Sequence, residues 1–488
     1  MVPRSAARAA GAAAAVVLPG AAAAHGFGRL YNLPVPFWLY GWAASAALVL
    51  SFVLVGIFAA TPPSAEARER DVSHSRFARA LRRALPLLRG AAVATLLLCI
   101  VTGFFGSRDP FHNFSMTFFW VVFALAFAWL AALLGDFYAL LNPWRVIVER
   151  LARRWPRLAS GRFRYPEALG DWPALALYLG FTWFELFGLG KPSPLARMLL
   201  AYTALNLAGA WAVGMRAWFA HCECFAVFFR LLGTMAPLQW RPAPGGGRLW
   251  LRPPMAGLLR DRPVHLSTVA FALAMLATTA FDGLRATQWW VNLFWQQPHG
   301  IGMTIAGGAP VLHYALLRPW YVTWETGWLL LAPFLYLAAY LVSLALAKGL
   351  TRTRRPLREL ALDFGLTLLP IALVYHVTHY ATLLLTQGLK IFSLLSDPFG
   401  WNWNLLGTAG LWRAPILPPM GSVWHSQVAL ILLGHVLSVV AAHRVALRVM
   451  PSRRTALLSQ LPMLLLMMAF TVAGLWILAQ PLTALRMR

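Results

Sequence analysis

The chain has 488 residues, of which 59% are hydrophobic and only 12% are charged. A soluble protein carries about a quarter charged residues, so this composition excludes an ordinary soluble globular protein and indicates a membrane protein. The formal net charge of +26 does not indicate nucleic-acid binding. The basic residues concentrate in loops between apolar segments, where positive charge sets the orientation of a membrane protein.

Residues 1–24 have the pattern of a secretory signal peptide. A basic start is followed by a short stretch of Ala, Val and Leu, and then by small residues at 22–24, which is typical of a cleavage site. Cleavage before His25 would leave the mature N-terminus outside the cytoplasm. His25 would then offer an amino group and an imidazole nitrogen from one residue, a pair of donors that suits copper.

Residues 25–488 are predicted to form a single all-α domain, a polytopic bundle of about ten transmembrane helices. Each apolar segment is close to the roughly 20 residues that a helix needs to cross a bilayer. The predicted spans lie near residues 35–59, 86–106, 116–135, 173–190, 197–214, 265–285, 326–347, 363–386, 424–447 and 459–480. Five arginine-rich loops alternate with loops of low charge. The arginine-rich side is therefore predicted to be cytoplasmic, with both termini outside.

Two of the outer loops, 286–325 and 387–423, are long and rich in tryptophan. Long aromatic loops on one side of a membrane protein are typical of re-entrant or interface-lying segments that cover a site. A simple aromatic belt at the membrane surface would give the same composition. On the cytoplasmic side the longest polar stretch lies near 236–264, and its RPAPGGGR run predicts a flexible turn.

Ionisable residues inside the predicted spans are the main functional signal. Such groups are costly at the centre of a transmembrane helix, and they persist mainly where they face the bundle interior or take part in function. They are Glu185, Asp282, His376, His379, His425, His435 and His443. His376 and His379 lie three residues apart on one helical face. Counted from the cytoplasmic ends of their helices, His376 and His435 are nearly level.

Imidazole nitrogens together with a carboxylate are donors that a divalent metal such as zinc or copper prefers. The sequence therefore predicts a metal-dependent catalytic site formed by His376, His379, His435 and Asp282. Weaker candidates for further metal ligands are Glu185, His425 and His25. The alternative is that these side chains form hydrogen bonds between helices, as polar residues do in membrane bundles.

Four runs along the chain are distinctive through their number and order. They are AHGFGRLYNLPVPFWLYGWAASAALVLSFV (24–53), LLNPWRVI (140–147), SDPFGWNWNLLGTA (396–409) and VALILLGHVLSVVAAHR (428–444). Together they resemble a family of bacterial multi-pass membrane proteins that carries the name fenitrothion hydrolase. The resemblance implies a hydrolase of organophosphorus triesters in the bacterial inner membrane, acting with a related membrane subunit. None of the runs is a catalytic signature, so the resemblance assigns no site residue.

Other functions fit the same residues. Intramembrane histidines and aspartates serve as proton relays in transporters, and two level histidines on adjacent helices can ligate a b-type haem. A copper-handling protein would use His25 and the outer histidines. The expected partners are the lipid bilayer, a hydrophobic small molecule and a related subunit, but not a nucleic acid.

Overall fold

The computed structural model describes residues 35–58, 69–241, 247–296, 299–412, 415–416 and 418–480. The predicted signal peptide and His25 lie outside these residues. The same holds for the C-terminal segment after residue 480.

The described residues fold into an all-α bundle with one small β-sheet. The main helices are α1 (Phe37–Phe58), α2 (Arg76–Phe105), α3 (Phe114–Leu134), α4 (Trp172–Phe187), α5 (Pro192–Val213), α6 (Cys224–Gly233), α7 (Leu266–Arg285), α8 (Pro310–Thr351), α9 (Leu357–Ser396), α10 (Met420–Val449) and α11 (Arg453–Ala479). Shorter helical segments lie at Tyr138–Leu141, Pro143–Ala152, Arg157–Ser160, Met215–Ala217, Trp218–Cys222, Ala256–Arg260, Gln288–Trp295 and Ile301–Ala306.

Every predicted span coincides with one of these helices, and the prediction of an all-α polytopic bundle is confirmed. Within the described residues, eight helices are long and apolar enough to cross a membrane. The remaining two predicted spans correspond to α4, which has only 16 residues, and to α5, whose 22 residues include Arg197 and Asn206. Both pack within the same bundle as the other eight.

Helices α7 and α9 form the centre of the bundle. In their most apolar stretches 89% and 78% of the residues are buried inside the protein, compared with 17–50% for the other six helices that can cross a membrane. Helix α7 is also the least apolar of the eight, with a mean hydropathy of 1.4. Ionisable residues in membrane proteins face the bundle interior, so these two helices are where an intramembrane site is expected.

The two ends of the bundle differ in composition. At one end, which we call the arginine-rich end, the basic loops meet through ion pairs, and Glu69 binds both Arg241 and Arg260. At the opposite end, which we call the tryptophan-rich end, the aromatic loops join the helices. There the indole N–H of Trp183 donates to Thr326 Oγ1 over 2.9 Å. The loops therefore separate between the two ends as the charge alternation predicts.

A three-stranded antiparallel sheet lies at the arginine-rich end. Strands β1 (Arg70–Asp71) and β2 (Leu238–Arg241) both pair with β3 (Arg248–Leu251), which lies between them. In the β2–β3 pair, Leu238 is opposite Leu251 and Arg241 is opposite Arg248. The sequence predicts only a flexible turn in this region. The ordered strands on either side of residues 242–246 are a finding of the structure.

Candidate functional site

A carboxylate, an imidazole and a phenol meet between the two central helices. Nε2 of His379 on α9 donates to Oδ2 of Asp282 on α7 over 2.9 Å, and the Tyr380 hydroxyl donates to the same oxygen over 3.1 Å. The Asp282 and His379 side chains are 5% and 14% exposed. We call Asp282, His379 and Tyr380 the Asp282 cluster.

Gly283 allows the two helices to approach at this point. A Cβ atom at residue 283 would lie 3.4 Å from Cε1 of His379 and 2.7 Å from Cγ2 of Ile477 on α11. The second distance is too short for two carbon atoms, so a side chain here would push α11 or the His379 ring away. The glycine next to Asp282 therefore helps to keep the imidazole within hydrogen-bonding distance of the carboxylate.

Glu185 on α4 provides a second carboxylate near the Asp282 cluster. Its side chain is half-buried and lies within electrostatic range of Asp282. Among the residues that the structure describes, no hydrogen bond or ion pair reaches the Glu185 carboxylate. Two acidic side chains on neighbouring helices inside an apolar bundle repel each other when both are charged, and this repulsion is relieved when one of them takes up a proton.

An ion pair covers the Asp282 cluster on the tryptophan-rich side. Arg285, about one turn beyond Asp282 on α7, donates to Glu325 on α8 from Nε over 3.3 Å and from Nη2 over 3.1 Å. The indole N–H of Trp290 donates to Glu325 Oε1 over 3.2 Å. Trp290 belongs to the loop 286–325 and stacks on Trp324 with ring centroids 4.5 Å apart. Residues 310–325 of the predicted loop are the first turns of α8 in the structure, and the remaining part of the loop packs Trp290 against them beside the Arg285–Glu325 ion pair. Whether this segment covers a functional site or is part of an aromatic belt stays a prediction.

His376 faces a different part of the bundle from His379. Its Nδ1 accepts a hydrogen bond of 3.1 Å from the indole N–H of Trp129 on α3, and its ring packs near Phe228 on α6. A cavity of about 10 Å³ adjoins the His376 ring and is otherwise lined by apolar residues of α6, α7 and α9. This volume is room for about one water molecule.

His435 is bonded on both ring nitrogens. Its Nδ1–H donates to the Ile431 carbonyl oxygen over 2.8 Å, which leaves Nε2 as the acceptor for the hydroxyl of Thr471 on α11, also over 2.8 Å. The residue is only 3% exposed. Its side chain therefore joins α10 to α11.

The two remaining histidines of α10 also lie apart from the Asp282 cluster. His425 is exposed near the start of the helix, and its Nδ1 bonds to the Gly421 carbonyl oxygen over 2.7 Å. His443 is buried towards the arginine-rich end, where Nε2 of Gln460 lies 3.0 Å from its Nδ1. Both therefore have local bonding partners on α10 or α11.

The structure thus brings together only part of the predicted metal site. Asp282 and His379 are in contact, whereas His376 bonds towards α3 and His435 towards α11. Within the described ranges no three His, Cys, Asp or Glu side chains could hold one metal ion, and a catalytic zinc site uses three protein ligands. The expected convergence of three histidines is not found in this part of the chain. Equal depth fixes position along the membrane normal but not the direction in which a side chain points.

The haem and metal expectations are affected differently. A haem ligated by His376 and His435 would need both rings to face one iron, and the structure directs them to different neighbours. That the protein binds a divalent metal remains a prediction, which metal analysis of the purified protein tests. His25 lies outside the described residues, so its copper site also remains a prediction.

Several residues that contact the candidate site residues were not identified from the sequence. Tyr380 directly follows His379, and a hydroxyl next to an ionisable residue in an apolar run is a signal that could have been used. Glu325 falls in the predicted outer loop 286–325, so it was not counted among the intramembrane acids. Trp129 gives no signal, because one tryptophan among 23 does not stand out.

Comparisons with known proteins found no match for this chain. No protein-family model, curated protein or solved structure matches the chain. The functional assignment must therefore come from the geometry of the Asp282 cluster and its surroundings.

Proposed function

We propose that the protein is a proton-coupled membrane transporter and that the Asp282 cluster is its proton-binding site. The observation that carries this proposal is the contact between Asp282 and His379, which lies between the two most buried of the eight helices that are long and apolar enough to cross a membrane. Ionisable residues in that position mark proton relays and ion pathways in membrane proteins.

The chemistry of the cluster suits proton transfer. Aspartate and histidine exchange a proton along their 2.9 Å hydrogen bond, and the Tyr380 hydroxyl supports the charged carboxylate. Glu185 supplies a second acidic group nearby, so a proton can be bound without leaving the bundle interior. The ion pair of Arg285 and Glu325 separates this region from the tryptophan-rich surface, which restricts access of water from that side.

The cavity next to His376 is too small to admit a large substrate at that residue in this conformation. Its volume of about 10 Å³ has room for a single water molecule but not for an aryl ester. A water molecule there can extend a proton path. A solute path would open through rearrangement of the helices around α7 and α9, as alternating access requires.

The first experiment measures proton binding directly by infrared spectroscopy of the purified protein as the pH is lowered. We expect wild type to show the carbonyl stretch of a protonated carboxyl group that is missing from Asp282→Asn and altered in Glu185→Gln. Thr471→Val, which changes a neighbouring hydrogen bond without removing an acid, should titrate like wild type. Identical titrations in wild type and both carboxylate variants would overturn the proposed site.

A second experiment tests coupling to transport. Protein in liposomes that contain a pH-sensitive dye is exposed to a panel of organic solutes, including neutral aryl phosphotriesters. A transported solute should change the internal pH with wild type and not with Asp282→Asn. If the carboxyl group titrates but no solute moves protons, the cluster binds protons without transport and the hydrolase candidate takes precedence.

The hydrolase implied by the resemblance is the second candidate, and one specific observation favours it. A histidine held by a carboxylate is the arrangement that activates water or a nucleophile in many enzymes, and His379 has this partner. A neutral phosphotriester would reach the site from the lipid, and the cavity would have to widen to accept it. In this candidate the pair acts as a general base, with no step that requires a metal ion.

Hydrolysis is tested with a chromogenic aryl phosphotriester and purified protein, with and without a co-expressed related subunit. If the candidate is right, His379→Gln should lower the rate by about 10²–10⁴-fold, the usual contribution of a positioned acid–base group. His425→Gln is the matched control, because His425 is exposed and bonds only locally. A rate no higher than the blank in both preparations would remove the hydrolase from consideration.

A further inference from the structure

The second tryptophan-rich loop is a rigidly built surface. Ser396 Oγ accepts hydrogen bonds from the backbone N–H groups of Leu406 and Thr408 over 2.9 and 3.1 Å. The Thr408 hydroxyl donates to the Phe392 carbonyl oxygen over 2.7 Å, and the Ser393 hydroxyl donates to the Ala409 carbonyl oxygen over 2.6 Å. These bonds tie the loop to the last turns of α9. We call residues 391–412 the outer platform.

The outer platform directs its large apolar side chains outward. Leu405 and Leu406 are each 65% exposed, and Trp401 and Trp403 are 51% and 38% exposed. Further exposed apolar side chains on the same segment are Phe392, Leu395, Leu411 and Trp412. A loop that faced water would be expected to turn such residues inward, so this surface is suited to an apolar environment.

The outer platform carries very little charge. In the described residues 391–412 the one ionisable side chain is Asp397, and its two carboxylate oxygens accept the backbone N–H groups of Trp401 and Asn402 over 2.9 and 2.8 Å. The Asp397 carboxylate therefore stabilises the turn at residues 397–402. Protein–protein interfaces normally have a polar rim with charged and hydrogen-bonding groups. The outer platform has too few such groups to match this pattern.

The outer platform lies beside the tryptophan-rich ends of α2 and α3. Gly388, just before it, packs against Val121, which lies seven residues inside α3 and therefore about 10 Å below its first residue, Phe114. The chain then rises, and the Phe399 carbonyl oxygen accepts the backbone N–H of Ser107 while Pro398 accepts that of Phe114. The platform therefore spans the depth from the outer part of α3 to its end.

We propose that the outer platform lies in the outer leaflet of the membrane, with Trp401, Trp403, Leu405 and Leu406 inserted at the boundary between the lipid headgroups and the acyl chains. Tryptophan is enriched at this boundary because its ring is amphipathic. The two tryptophan-rich loops then differ in role, since the first packs Trp290 inward beside the Arg285–Glu325 ion pair and the second anchors the protein in lipid.

The three native cysteines, Cys99, Cys222 and Cys224, are all buried, so an introduced surface cysteine can be labelled selectively. We would label Leu406→Cys with an environment-sensitive fluorophore in protein reconstituted into phosphatidylcholine vesicles. The matched control is Arg108→Cys, an exposed polar position in the adjacent loop. Leu405→Cys serves as a second platform position in case Leu406→Cys does not purify as a monodisperse protein.

The label at residue 406 should emit at shorter wavelength than the label at residue 108, and spin-labelled lipids should quench it more strongly. Equal quenching of both labels by aqueous iodide would overturn the proposal, because the platform would then face water. Short-wavelength emission without quenching by spin-labelled lipid would also overturn it, since the platform would then be covered by protein.

Discussion

His379 and His435 are both buried in the bundle, yet their hydrogen bonds give them different roles. His379 shares a hydrogen bond with a carboxylate, so it can exchange a proton with Asp282. His435 donates to a backbone carbonyl and accepts from Thr471, so both of its nitrogens are used in joining α10 to α11. The first arrangement can carry chemistry, and the second holds two helices together.

Thr471→Val tests whether the hydrogen bond of His435 only holds α10 and α11 together. The change removes the hydroxyl that bonds to His435 Nε2 and preserves the volume of the side chain. We expect a loss of roughly 1 kcal/mol of stability, which is typical of a hydrogen bond between membrane helices. Thermal unfolding of the purified protein in detergent should show a lower midpoint, while the infrared carboxyl signal stays as in wild type. Loss of that signal in Thr471→Val would show that His435 belongs to the proton-binding site after all.

Helices α4, α6 and α7 are joined at the arginine-rich end by one buried aspartate. Asp171, which precedes α4, accepts a hydrogen bond of 2.8 Å from Nδ1 of His221 and one of 2.6 Å from the Thr268 hydroxyl. Arg230 Nη2 on α6 lies 3.6 Å away from its carboxylate. Burial by itself would raise the pKa of Asp171, but the His221 hydrogen bond, the Arg230 charge and the Thr268 hydrogen bond together hold this pKa below its ordinary value.

The lowered pKa of Asp171 gives a prediction with a definite sign. A carboxyl group with a pKa lower in the folded than in the unfolded protein stabilises the fold above its unfolded pKa, about 4, and loses this effect as the pH falls through the folded value. Asp171→Asn should therefore cost roughly 1.5–3 kcal/mol at pH 7.

The unfolding midpoints of wild type and Asp171→Asn should converge as the pH is lowered below about 4. Asp261→Asn is a suitable control, because Asp261 lies at the same end, is half-exposed, and forms an ion pair with Arg252 without joining α4 to α7. A midpoint difference for Asp171→Asn that stays constant from neutral to acidic pH would mean that the carboxylate charge is not what joins the three helices.

The spanning helices could be predicted from the sequence because their signal is strong and local. An apolar stretch of about 20 residues with few charges is typical of a transmembrane helix. The β2–β3 hairpin was missed because each strand has only four residues and the glycine-rich run between them indicated only a flexible turn. Helix α6 was not predicted, because its ten residues are about half the length that a transmembrane helix needs.

The candidate site was only partly predictable, for a geometric reason. Hydropathy and counting give the depth of each ionisable residue, and depth drew attention to Asp282 and His379, which the structure places in contact. Which helices are neighbours, and which way each side chain points, depends on packing that involves residues far apart in the sequence. His376 and His435 were nearly level in this counting, but one points towards Trp129 on α3 and the other towards Thr471 on α11.

At the scale of the whole molecule, the orientation in the membrane follows from charge and can be tested directly. Arg157→Cys lies at the arginine-rich end and Arg108→Cys at the tryptophan-rich end, and both positions are exposed. The positive-inside rule predicts that a membrane-impermeant thiol reagent applied to intact cells labels residue 108 and not residue 157. Labelling of residue 157 alone would invert the orientation, and labelling of both from outside would contradict the two-ended bundle.

The enclosure of α7 has a consequence for how the protein is made. Entry of a helix into lipid from the insertion machinery depends on its apolar character, and α7 has the lowest mean hydropathy of the eight candidate spans. The partner of Asp282 is His379, 97 residues later in the chain, so this contact cannot form until α9 has been synthesised. Of its neighbours, α4 is already present and offers Tyr178 to Thr278 over 3.2 Å. During biosynthesis the bond between Tyr178 and Thr278 can therefore form early, whereas the pair of Asp282 and His379 is completed only after α9 has been inserted.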